Sequence, residues 1–269
     1  LDEPYAGYRA AAVDAYGSDD VAKDPDQLRY FEQAVHLLDR FRRGELHAAD
    51  VFDVDRMARR HAIIDLVGGH HSMDWSDVKF YYDPAAQRIE PVSYESFSAF
   101  PTRQLAGAYR YTGRAGAEDD LHDALFNDSV FFRAYVQHLE RLSTKAWLDS
   151  TFAALAPDLD TASAMLYREF PYKELDRSVY YRNQEAIRHL LALPKPCHAY
   201  LQHAGHDTLT LALVPVNSLP VQVDGLVFGD KTIAPYVRTV PPPTPRPAAP
   251  VPWTLRFVLT AVPGNANPR

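Results

Sequence analysis

The chain has 269 residues, 46% of them hydrophobic and 12% aromatic, enough to bury one large core or two smaller ones. Its net charge of -7 argues against a dedicated nucleic-acid binder, which carries a basic face. No apolar run approaches the ~18 residues of a membrane span, and the single cysteine, Cys197, excludes an internal disulfide.

The chain opens on Leu1 without a signal-peptide pattern, and LDEPYAGYRAAAVDAYG reads as the interior of a fold. A piece of a longer protein is therefore expected. The first well-marked element is a helix: Asp24 caps it, Pro25 suits its first turn and Gly44 stops it. Leu28, Phe31, Val35 and Leu38 fall on one side of it. A second helix starts at Asp53, with Phe52 and Met57 at the spacing of a hydrophobic staple. Val54, Ala58, His61 and Ile64 share one of its sides, and Gly68-Gly69 ends it.

Residues 68–95, GGHHSMDWSDVKFYYDPAAQRIEPVSYE, carry the chemistry. A polar, acid-bearing loop follows the glycines. Val78 to Tyr82 and Ile89 to Tyr94 then read as strands around an Asp83-Pro84 turn. A hairpin returns the chain to its start, so Asp74 and Asp77 are expected at the same end as Glu95. Clustered carboxylates on a rigid hairpin suit a hard divalent cation.

From about residue 118 the pattern is helical again, with breaks at Asn127-Asp128 and Ser143-Thr144, and SVYYRNQEAIRHLLAL gives a last helix stopped by Pro194 and Pro196. Beyond Pro196 the chain alternates Leu and Val with turn residues, the signature of a small sandwich-like β unit. The fold class is therefore α+β. The expected divisions are 1–195 helical with an inserted hairpin, 196–240 β-rich, 241–252 a Pro-rich linker, and 253–269 a terminal strand and tail.

Each candidate also has a plain structural role. Asp74 is expected to cap a loop turn, Asp77 to cap the start of the strand, and Glu95 to end the second strand in solvent. Asp83 shapes the turn. His70 and His71 contact a phosphate, or shape the loop and cap the helix end. Trp75 forms a lid or, the reading favoured here, anchors in the core. Asn183 and Gln184 are placed on the helix surface or at an inter-lobe contact. The spacing of Cys197, His198, His203 and His206 does not match common zinc sites, and neither a Gly-rich phosphate loop nor a nucleophile elbow is present.

Across roughly residues 25–195 the sequence resembles the CotH kinase family, atypical secretory-type kinases named for a spore-coat protein kinase. The family shows an acid, then an Asn-x-x-aliphatic-Tyr strand, a turn, and a Pro-aromatic-Asp-x-Asp ending. The matching stretch is Asp74, then Asp77-Val78-Lys79-Phe80-Tyr81, then Asp83-Pro84, then Pro91-Val92-Ser93-Tyr94-Glu95. Asp77 stands where the family has Asn, and Ser93 and Glu95 stand where it has the two ending acids.

The resemblance implies phosphoryl transfer from ATP to a protein hydroxyl with Mg or Mn. Asp74 would orient the acceptor, and Asp77 and Glu95 would hold the metal, with His70, His71 and Trp75 supporting the loop. It also implies an exported or cell-surface parent with a protein substrate or an extracellular protein partner. Nothing in residues 1–24 resembles the family's nucleotide-gripping lobe, so the isolated chain is expected to be inactive. The altered acids raise an alternative, a degenerate kinase fold serving as a scaffold or binding module.

Overall fold

A computed structural model describes residues 11–73, 78–94, 96–97, 99–103, 105–106, 121–192, 195–216, 219–238, 240–241 and 251–259. The chain is α+β, as its patterning predicts. Helices α1 (Ser18–Val21), α2 (Pro25–Arg42), α3 (Ala48–Val51) and α4 (Val54–Val67) come first, followed by a 3-10 turn (His70–Met73). The hairpin of β1 (Lys79–Asp83) and β2 (Arg88–Val92) follows. Next come α5 (Leu121–Asn127), α6 (Ser129–Leu142), α7 (Lys145–Ala154), α8 (Ala156–Tyr167) and α9 (Ser178–Leu191). Strands β3 (Cys197–Ala204), β4 (Thr208–Pro215), β5 (Leu226–Phe228), β6 (Lys231–Ile233) and β7 (Trp253–Val258) complete the order.

Local chemistry sets the helix ends. Asp24 accepts from the amides of Asp26 and Gln27, and Asp53 accepts from that of Arg56, each filling an amide the helix itself leaves unpaired. Gly44 and Gly68 follow their helices in the left-handed region, at φ +70° and +67°. Only the later half of α2 reaches the core: Leu38 and Phe41 are buried, whereas Leu28 is 38% exposed.

The core lies where α4 packs on α6 with α9 across them. Met57, Ala58, Ala62 and Ile64 of α4 meet Phe131, Tyr135 and Leu139 of α6 and Ile187 of α9. Leu121, Leu125 and Phe126 of α5 close one side. The Phe126 ring stands edge-on to Phe131 at 5.1 Å and to Tyr135 at 4.9 Å. Burying such a side chain contributes about 1.5–3 kcal/mol.

The hairpin is antiparallel, from Lys79 opposite Val92 to Asp83 opposite Arg88. Asp83 Oδ1 accepts from the amides of Ala85 (2.8 Å) and Ala86 (3.2 Å), the turn role read from the sequence. Phe80 and Tyr82 pack onto the core, and Ile89 is buried in it. The Asp53 amide donates to the Ile89 carbonyl at 3.0 Å, tying the hairpin to the start of α4.

Strands β3, β4 and β7 form one antiparallel sheet in that order. The terminal strand β7 therefore joins the β-rich unit, pairing Leu213 with Trp253 through Thr208 with Val258. Leu209, Leu213, Val221, Leu255 and Phe257 make a small second core, with Leu226 and Ile233 of the β5–β6 pair against it. This unit does not stand apart from the helices. Leu219 and Val240 bury in the helical core, and the Arg133 guanidinium reaches Gln222 (3.1 Å) and Asp224 (2.9 Å). Among the described residues no helix is long and apolar enough to cross a membrane.

Candidate functional site

Asp74, Trp75, Asp77 and Glu95 lie outside the described residues. The segments on either side of them are described, and these form a narrow neck.

The neck is built on the glycine pair. Gly68 ends α4, and both it and Gly69 donate to the Ile64 carbonyl. The chain returning from the hairpin crosses directly over them. A Cβ on Gly68 would sit 2.2 Å from the Phe100 carbonyl oxygen, and one on Gly69 would sit 1.9 Å from that of Ser96. Only hydrogen fits at either position. The Ala99 amide adds a bond to the Val67 carbonyl at 3.0 Å. The glycines thus serve as a backbone crossing as well as a helix stop, a role that local sequence pattern does not reveal.

Beneath the neck lies a buried polar network. Asp65 is fully buried, and three donors converge on its carboxylate. His70 Nε2 (2.8 Å) and the Ala106 amide (2.7 Å) both donate to Oδ1, and the Tyr135 hydroxyl donates to Oδ2. Burial pushes this carboxyl upward, while those donors pull it down. The Thr102 hydroxyl donates to the Asp65 carbonyl.

Asn183 supplies a second clamp. Its Nδ2 donates to the carbonyls of Leu66 (2.8 Å) and Phe100 (3.0 Å), and its Oδ1 accepts from the Thr102 amide (2.8 Å). Gln184 donates to the carbonyls of Leu142 (2.6 Å) and Thr144 (2.7 Å). Both residues are 1% exposed, which corrects their expected place on the helix surface. Tyr180 and Ile187, three residues from them on either side, are buried on the same face of α9, and that periodicity was the available signal.

The 3-10 turn is held from below as well. Arg60 donates through Nη2 to the Ser72 carbonyl (3.0 Å) and Oγ (3.3 Å), and burial lowers its pKa to about 10. His122 Nε2 donates to the Met73 carbonyl at 2.7 Å, one residue before Asp74. His61 Nδ1 lies 2.7 Å from the Met57 carbonyl, and its Nε2 lies 3.0 Å from His122 Nδ1. Carbonyls only accept, so these three contacts need three protons on two rings. Burial, then His122 and Arg60, hold His61 well below its ordinary value, so its ring is neutral and carries its proton on the Nδ1 that faces the Met57 carbonyl.

His70 thus bonds Asp65 from within the 3-10 turn, and His71 is solvent-exposed. On the outside of the neck, Phe97 and Phe100 are 62% and 66% exposed, and the Lys79 ammonium lies 5.4 Å from the centre of the Tyr94 ring. Among the described residues no group of three His, Cys, Asp or Glu side chains is placed to hold a metal, and Cys197, His198, His203 and His206 do not converge.

A separate groove of about 370 Å³ lies between α6 and the β-rich unit, lined by His47, Asp128, Asp224 and Arg238 among others. The Asp128 carboxylate on its wall is committed to the amides of Ala48, Val130 and Phe131, a structural duty. No protein-family model, no curated protein and no solved structure matches this chain.

Proposed function

We propose that this chain carries the acceptor- and metal-holding part of a CotH-like atypical protein kinase site. The observation that supports this reading is the neck. Lys79 pairs with Val92 at the open end of the hairpin, and the Ser96 carbonyl rests on Gly69. Asp77 precedes the first of these points by two residues, and Glu95 directly precedes Ser96. The turn before Asp74 and the chain beyond Glu95 are moreover both bonded to Asp65, through His70 and the Ala106 amide, and such anchoring is the condition for a preorganised site.

Carboxylate oxygens are the donors that Mg2+ or Mn2+ takes, so Asp77 and Glu95 fit such an ion. When bound, the ion supplies charge neutralisation at the phosphate oxygens of ATP. Asp74 accepts the proton of the protein hydroxyl and orients it toward the phosphate. His70, held by Asp65, keeps the turn before Asp74 in place.

Mn2+ titration followed by electron paramagnetic resonance, together with ATP turnover in Mg2+ or Mn2+, tests the reading. Saturable Mn2+ binding is expected of this chain, and turnover of the intact parent that carries the nucleotide lobe, both lost in Asp77→Ala. Turnover indifferent to Asp77→Ala overturns the assignment.

A second reading, a kinase-like scaffold, is favoured by a different surface. Helix α8 buries none of its residues, and Met165, Tyr167 and Tyr172 are 68%, 67% and 73% exposed. Such a run of exposed apolar side chains is typical of binding surfaces. A folded chain that takes up no Mn2+ supports this reading over the enzyme.

A further inference from the structure

We infer that Asp65 is a positioning residue that locks the segment leading into the acid loop to the segment returning from the hairpin, so that the two move as one unit. Besides the Ala99–Val67 bond and the Asn183 clamp, one atom joins both segments. Oδ1 of Asp65 accepts at once from His70, in the turn before the loop, and from the Ala106 amide, in the returning chain. Neither donor shifts without disturbing the other's acceptor. Tyr135 of α6 fixes the remaining oxygen, so the carboxylate does not rotate to follow either segment.

The backbone of the same residue joins the link, since its carbonyl accepts from the Thr102 hydroxyl. A buried carboxylate is costly unless its oxygens are filled, and here its partners come from three separate stretches of chain. A side chain serving only the stability of α4 would draw its partners from that helix and its neighbour. Two of these three partners instead flank the stretch that bears Asp74, Asp77 and Glu95. The consequence for metal binding rests on the function proposed above, whereas the mechanical link does not.

Hydrogen exchange on the full chain tests the link, with His70→Ala cutting one spoke at a partly exposed position. Exchange is expected to quicken tenfold or more in residues 66–73 and also in residues 99–106. His70→Gln, which retains an N–H donor of similar reach, is expected to restore both. Gln184→Ala, which frees the carbonyls of Leu142 and Thr144, lowers the melting temperature and leaves both segments unchanged.

If His70→Ala quickens residues 66–73 and leaves the Ala106 amide protected, the link is overturned. The same holds if His70→Gln fails to rescue. For the metal consequence the probe is Mn2+ alone, and His70→Ala should raise its Kd at least tenfold. An unchanged Kd in the folded variant overturns the role of Asp65 at the site. An unsubstituted chain that binds no Mn2+ sinks the kinase reading instead, and the exchange result then decides the link by itself.

Discussion

The helical body and the β-rich unit are held together in different ways. The small core of the β unit is apolar: Leu209, Leu213, Val221, Leu255 and Phe257. The body buries Asp65, Arg60, His61, His122, Asn183 and Gln184 among its Phe and Leu side chains. Apolar contacts are non-directional and tolerate small displacements. Hydrogen-bonded buried groups tolerate few, because each lost partner leaves a desolvated donor or acceptor. The body is therefore built for position and the β unit for cohesion, and the positions held most tightly are those around the neck.

The largest expected effect sets the scale for the β unit. Phe257→Ala removes a fully buried ring and should cost about 3–5 kcal/mol in urea unfolding. Hydrogen exchange should quicken in β3, β4 and β7 while the Ala106 amide stays protected. Gly69→Ala should cost about 3 kcal/mol, because the added methyl meets a backbone carbonyl that lacks a flexible side chain's freedom to give way. Its counterpart, Gly229→Ala, meets no atoms and carries only the left-handed strain of about 1–2 kcal/mol. Equal losses at the two glycines would erase the contrast.

Asn183→Ala strips partners from Leu66, Phe100 and Thr102 and should cost about 2–3 kcal/mol, with faster exchange at the Thr102 amide. The smallest effect is one of pH. His61 has its folded value held below that of the unfolded chain, about 6.5, so the unfolded state binds the proton first as pH falls. Its share of stability is present above pH ~6.5 and is lost as pH falls toward the lowered folded value. The raised Asp65 carboxyl works in the opposite sense: its share is present at low pH and is lost as pH rises through its folded value. Urea unfolding of Asp65→Asn between pH 7.5 and 5 isolates the histidine slope, which His61→Gln should flatten.

What was legible in the sequence was local. Asp24, Asp53 and Gly68 act on amides and carbonyls within one turn, so their roles follow from neighbouring letters. Asp83 fixes the hairpin register through its own turn. The neck was not legible, because its partners are distant: Gly69 meets Ser96, Asp65 meets Tyr135 and His61 meets His122. Asn183 and Gln184 lie on the apolar face of α9 and not on its surface, because their partners are carbonyls and an amide of distant segments. The acids themselves, Asp74, Asp77 and Glu95, rest on the sequence reading and on the neck that holds both ends of their segment.

The crossing at Gly68 and Gly69 also divides the inserted stretch into a fixed base and a free tip. Lengthening or shortening the Pro84–Gln87 turn leaves every contact at that base untouched. Variation at the far end is thereby uncoupled from whatever the base presents, and relatives of this chain should tolerate hairpins of different reach on an unvarying pair of glycines.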